Sequence, residues 1–143
     1  MQDRFKFRCF NKFENKMFDV RSMSYINGIV KRIEVQDEEC LLIFDEWEKN
    51  IDNTILMQCT GLKDKNGKLI YEGDIIKIVY ELVPPHQSIQ KLYWSEKRAG
   101  FCFKQILCES SSHPFVEEFS LQNLTSKVEV IGNIYENKEL LNE

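Results

Sequence analysis

Gln58-Cys59-Thr60-Gly61-Leu62-Lys63-Asp64-Lys65-Asn66-Gly67-Lys68-Leu69-Ile70-Tyr71-Glu72-Gly73-Asp74-Ile75-Ile76-Lys77-Ile78 is the stretch whose turn chemistry and residue alternation agree most closely. A short apolar run, Ile55-Leu56-Met57, leads into it, and Gly61 punctuates it early. Asn66 and Gly67 are residue types that tolerate positive φ, so Asp64 to Gly67 reads as a tight hairpin turn of the primed two-residue kind. Leu69-Ile70-Tyr71 re-enters an extended run, and Gly73-Asp74 is a second punctuation. Beyond it, Ile75 to Tyr80 is β-branched and aromatic, the composition of a strand at least half buried. Strands joined by turns are what this stretch demands of its neighbours.

Outward from that centre the same pattern repeats. Before it, Phe5 to Phe10 alternates apolar with charged residues, predicting a strand with one wet face. Met17-Phe18-Asp19-Val20 returns after a turn at Asn11 to Lys16 and completes an N-terminal hairpin. Asn27-Gly28 signals another turn, Ile29 to Val35 a strand, and Cys40 to Phe44 a short apolar strand. Asp45 to Asp52 reads as an exposed connection or a single helical turn, and its Trp47 needs an apolar neighbour. After it, Pro84-Pro85 ends a strand, because proline cannot donate to a sheet ladder. Ile89 to Trp94 and Phe101 to Leu107 form a second hairpin across a polar turn closing on Gly100. Val116 to Leu124 fits a strand or a helical turn, and Lys127 to Tyr135 a final strand with a bulge or close backbone approach at Gly132. Asn137 sits where the cap of a short terminal helix belongs.

Several short strands about ten residues apart, divided by Gly, Asn and Pro, predict a mainly β protein. Five strand candidates in the later two-thirds fit an SH3-like barrel. Residues 1–57 then form an N-terminal β extension packed on it, and residues 58–143 the barrel with its terminal helix.

Composition narrows the function classes. The 143-residue chain carries 19 Lys+Arg against 23 Asp+Glu, a net charge of −4, which disfavours non-specific nucleic-acid binding. A basic run (Arg4 to Arg21) precedes an acidic one (Glu34 to Asp52). Solvated surface explains both, while pairing between copies in a homo-oligomer is the sharper reading. No apolar segment approaches a membrane span and the first residues are unlike a signal peptide, so a cytoplasmic protein is expected. Five scattered cysteines lack the spacing of a disulfide framework and read as free thiols.

The motifs Lys6-Phe7-Arg8, Gln58 to Ile75, Gly100-Phe101 and Val130-Ile131-Gly132-Asn133-Ile134-Tyr135-Glu136-Asn137 together resemble the YopX family of phage and prophage proteins. The resemblance spans nearly the whole chain. It implies an SH3-like β-barrel for the motif-bearing half, a bacterial cytoplasmic setting in a phage or prophage context, and no established activity. The chain departs from the family pattern at Phe10-Asn11, where Trp-Asp is more typical, at Cys59, where an aromatic is common, and at Lys138, where proline often follows the asparagine.

Signatures of enzymes are missing: there is no phosphate-binding G-x-x-x-x-G-K-[ST], no G-x-G-x-x-G, no H-E-x-x-H and no G-x-S-x-G. Cys102, Cys108 and His113 lack the close pair that structural zinc normally uses. His86 and His113 sit beside prolines as loop residues. Glu72 and Asp74 bracket Gly73, where Asp74 is better employed in accepting turn N–H groups than in acid–base work. Tyr71 and Tyr135 read as core aromatics with a polar tip. Gly61, Asn66, Gly67, Tyr71, Gly73, Asp74, Gly132 and Asn133 are therefore the structural motif, with no catalytic residue, metal or cofactor expected. The expectation is a non-catalytic binding module for a protein partner, with Tyr93, Trp94, Lys97, Arg98, Phe101 and Phe103 as its candidate face. The alternative is single-stranded nucleic acid held by the 91–104 hairpin, with Lys91, Lys97, Arg98 and Lys104 on phosphates.

Overall fold

The computed structural model describes residues 2–37, 40–46, 51–80, 86–108, 119–120 and 127–141. Expectations at Trp47, Pro84-Pro85, His113 and most of Val116–Leu124 fall outside these residues. Eleven strands are described: β1 Phe7–Asn11, β2 Lys16–Ile26, β3 Ile29–Asp37, β4 Cys40–Asp45, β5 Thr54–Lys63, β6 Leu69–Tyr71, β7 Asp74–Tyr80, β8 His86–Ser95, β9 Gly100–Cys108, β10 Phe119–Ser120 and β11 Val128–Asn133. They form two antiparallel sheets, ordered β4-β3-β2-β1-β5-β6 and β10-β9-β8-β7-β11. The protein is mainly β, and among the described residues the strand pairing does not close into a barrel.

The chain divides into two units, Phe5–Gln58 and Met1–Arg4 with Cys59–Glu143, the boundary falling inside β5. Each has its own core. In the first, Cys9, Phe18, Ile33, Val35 and Phe44 are buried together, with Phe18 edge-on to Phe44 at 5.6 Å. The strands expected at Ile29–Val35 and Cys40–Phe44 are β3 and β4, and they extend the sheet of the N-terminal hairpin. The wet face expected of β1 is also corrected. Arg8 and Phe10 are buried as well as Cys9, because β1 lies between β2 and β5 rather than at an edge. Here Asn27 and Gly28, at φ 52° and 79°, make the primed two-residue hairpin turn.

In the second unit Ile70, Ile76, Ile78, Leu92, Phe103, Val128 and Val130 pack into one cluster. Burying each such side chain contributes roughly 1.5–3 kcal/mol, which is why the alternation in β7, β8 and β11 is held in register. The turn at Asp64 differs from the two-residue expectation. Asn66 does not take positive φ but Gly67 does, at 83°. The Gly67 N–H donates to the Asp64 carbonyl at 3.0 Å, and the Asp64 N–H to the Lys68 carbonyl at 2.8 Å. That pattern is a three-residue loop ending in a left-handed glycine. Gly61, at φ 80°, sits where β5 gains residues against β6, between the pairs Cys59↔Tyr71 and Lys63↔Leu69.

The tail is built around Asn133. Its Oδ1 accepts the N–H groups of Tyr135 and Glu136 at 3.0 and 2.9 Å. Asn137 Oδ1 turns back to accept the Asn133 N–H at 3.1 Å, instead of capping the 3-10 turn Lys138–Leu141 with its side chain as expected. The Leu140 N–H reaches the Asn137 carbonyl instead. A register shift between Val130 and Gly132 marks the bulge, and a Cβ on Gly132 would lie 2.6 Å from Asn137 Oδ1.

Candidate functional site

The β8–β9 hairpin carries the residues that sequence reasoning nominated for binding, and its register sorts them onto opposite faces. Leu92 pairs with Phe103 and Trp94 with Phe101, while Lys91 pairs with Lys104 and Tyr93 with Cys102. Side chains alternate along a strand, so Trp94, Phe101 and Phe103 share the core-side face and Tyr93 points the other way. The single six-residue face is thus corrected. Phe103 is 1% exposed and belongs to the core, and Phe101 packs against that core. Trp94 alone of these rings stays open, 42% exposed, edge-on to Phe101 at 5.1 Å.

Lys97 and Arg98 are exposed in the turn that closes the hairpin. The N–H of Arg98 donates to the Ser95 carbonyl and that of Ala99 to the Glu96 carbonyl, both at 3.2 Å. Ala99, and not Gly100, takes the left-handed conformation, at φ 46°. On the face bearing Tyr93, Lys77 of β7 lies opposite Ile89, so Lys77, Lys91 and Lys104 occupy three neighbouring strands.

The motif residues around Gly73 serve the backbone. Asp74 is 1% exposed and its Oδ2 accepts the Tyr71 N–H at 2.8 Å. Gly73, at φ 79°, donates to the Leu92 carbonyl and accepts from the Ile134 N–H, both at 3.0 Å. Tyr71 and Tyr135 are half-buried.

The residue that sequence reasoning missed is Asp64. Its carboxylate is 6% exposed and accepts three backbone N–H groups: Asn66 at 2.8 Å and Lys68 at 2.9 Å on Oδ1, and Val130 at 3.0 Å on Oδ2. Burial pushes its pKa up, but the Val130, Lys68 and Asn66 N–H groups and the Lys68 charge outweigh that and hold it below the usual carboxylate range. The Lys65 N–H also donates to the Val128 carbonyl at 2.9 Å, and Lys65 pairs with Glu129 at 2.7 Å. The signal available in sequence was an aspartate opening an Asp-x-x-Gly turn. Nothing local foretold the bond to Val130, 66 residues away.

The thiols offer no assembled chemistry among the described residues. Cys9, Cys59 and Cys102 are buried and Cys40 is exposed. Burial, with a smaller push from Asp19, raises the Cys9 pKa to about 12, which keeps it protonated and unreactive. No group of three His, Cys, Asp or Glu residues able to hold a metal is found among the described residues. His113 and the side chain of Cys108 lie outside them. No described helix is long and apolar enough to cross a membrane.

Solved structures share this fold, EF1440 and yopX among them. Protein EF1440 from Enterococcus faecalis is 24% identical, with a TM-score of 0.61 over 95% of this chain and 96% of that one. Protein yopX from Bacillus subtilis is 19% identical, with a TM-score of 0.61 over 96% of each. No curated protein matches the chain in sequence. The family model for the YopX protein matches residues 6–142, nearly the full length, and the chain therefore belongs to the YopX family.

Proposed function

We propose that the chain is a non-catalytic binding module that holds a protein partner through the β8–β9 hairpin, working in the bacterial cytoplasm in a phage or prophage setting. The observation that carries this reading is Trp94, a large ring left 42% exposed at the end of a strand pair in which Phe103 is buried and Phe101 packs against the core. An exposed tryptophan flanked by Lys97 and Arg98 is the composition of a binding hot spot. In the same reading the second unit is an open relative of an SH3-like barrel, with the hairpin as its presenting element.

Of the basic run, Lys16 pairs with Asp37 of the acidic run within the chain. Affinity capture from phage-infected host cells tests the module. A protein held by the wild-type chain and lost with Trp94→Ala is the expected result. No captured protein, or equal capture by Trp94→Ala, would overturn it.

A further inference from the structure

We propose that the lysine-bearing face of the β7–β8–β9 sheet takes an acidic segment of a protein partner, with Lys91 and Lys104 as its anchors and Lys77 at its flank. The inference rests on the binding-module reading and adds the face and the partner's chemistry.

Lys91 and Lys104 are directly opposite each other across the β8–β9 ladder. Side chains so placed have Cβ atoms about 4.5–5.5 Å apart, and like charges there repel. The other cross-strand neighbour of Lys91 is Ile75, and among the described residues no acidic side chain lies opposite either lysine and neither enters an ion pair. Lys77 stands one diagonal step away, opposite Ile89 on one side and Glu129 on the other, and Glu129 is already engaged by Lys65. In the first unit Lys16 pairs with Asp37 and Lys31 with Glu46 across strands, whereas here Lys91 and Lys104 stand together in a chain of net charge −4. A carboxylate-rich ligand would relieve the repulsion and gain charge-assisted hydrogen bonds.

The arrangement favours a protein over single-stranded nucleic acid. Base stacking needs open aromatic rings on the face that tracks the phosphates, whereas Tyr93 on the lysine face is half-buried and the open ring, Trp94, is on the opposite face.

The test uses the full chain, a fluorescent oligoglutamate peptide and an oligothymidylate of matched length, with anisotropy read at low and rising salt. Oligoglutamate is expected to bind, to weaken as salt rises, and to lose roughly tenfold in affinity with Lys91→Gln/Lys104→Gln. Oligothymidylate is expected to bind more weakly and to ignore the double substitution. The double variant is expected to melt no lower than wild type, because a repulsive pair is gone, so lost binding reports the site and not unfolding. Undiminished oligoglutamate binding by the double variant, or tighter oligothymidylate binding that it abolishes, would overturn the proposal. So would a partner captured equally by wild type and the double variant, a result that leaves the binding-module reading standing while removing this face from it.

Discussion

Asp64 closes its own turn and holds β11 at Val130 with one carboxylate. Asp64→Asn would turn an amide donor or a weaker acceptor toward three N–H groups and is expected to cost about 2 kcal/mol at neutral pH, read by urea unfolding. The pH dependence follows from its direction. A carboxyl whose pKa is lower folded than unfolded stabilises fully above the unfolded value, about 3.9, and loses that contribution as pH falls through the folded one. The gap between wild type and Asp64→Asn should therefore narrow below about pH 4. A gap constant from pH 7 to pH 3 would contradict the role given to the charge. Gly132 makes a second residue-scale prediction. Its missing Cβ is space occupied by Asn137, 2.6 Å away at Oδ1, so Gly132→Ala must displace the acceptor of the Asn133 N–H. About 1–3 kcal/mol of destabilisation is expected in the same unfolding measurement.

The two hairpins behave differently as elements. In the β8–β9 turn a left-handed backbone falls on Ala99, beside a glycine that does not need it. Ala99→Gly relieves strain of roughly 1 kcal/mol and should raise the melting temperature by a few degrees. An unchanged or lower melt would count against the turn geometry. The β2–β3 hairpin runs beyond its neighbours, since β1 pairs with β2 only as far as Asp19 and β4 with β3 only from Arg32. Tyr25, Ile26 and Ile29 near its tip are more than half exposed.

How much of this was legible follows from where the information lay. Strands at 69–71, 74–80 and 128–133 were readable because alternation and turn residues are local properties, and all three matched closely. Asn27-Gly28 declared a turn and made one. The length of β2 was not readable, because Arg21, Ser22 and Ser24 break its apolar pattern where the ribbon faces water. Burial of Arg8 escaped for the converse reason: it depends on which strands flank β1. The binding face failed as a set because neighbours in one strand, Tyr93 and Trp94, point to opposite faces, and the burial of Phe103 depends on its pairing with Leu92 across the hairpin. Asp64 was passed over because its third bond is to a distant strand.

At the scale of the whole molecule, two cores stand in one chain, and the family membership adds a shared fold to them without a chemistry. Two exposed regions compete for the role of binding surface: the β8–β9 hairpin, with Trp94 and its lysines, and the β2–β3 ribbon, with Tyr25, Ile26 and Ile29. The first carries an aromatic anchor on one face and the facing Lys91–Lys104 pair on the other, whereas the cations behind the second are already engaged, Arg32 with Glu34 and Arg21 Nη1 donating to Gln36 at 2.7 Å. Hydrogen exchange of the full chain, free and with its captured protein bound, decides between them most directly. Slowed exchange between residues 91 and 104 with the 22–32 ribbon unchanged is the predicted result, and protection confined to the ribbon would contradict it.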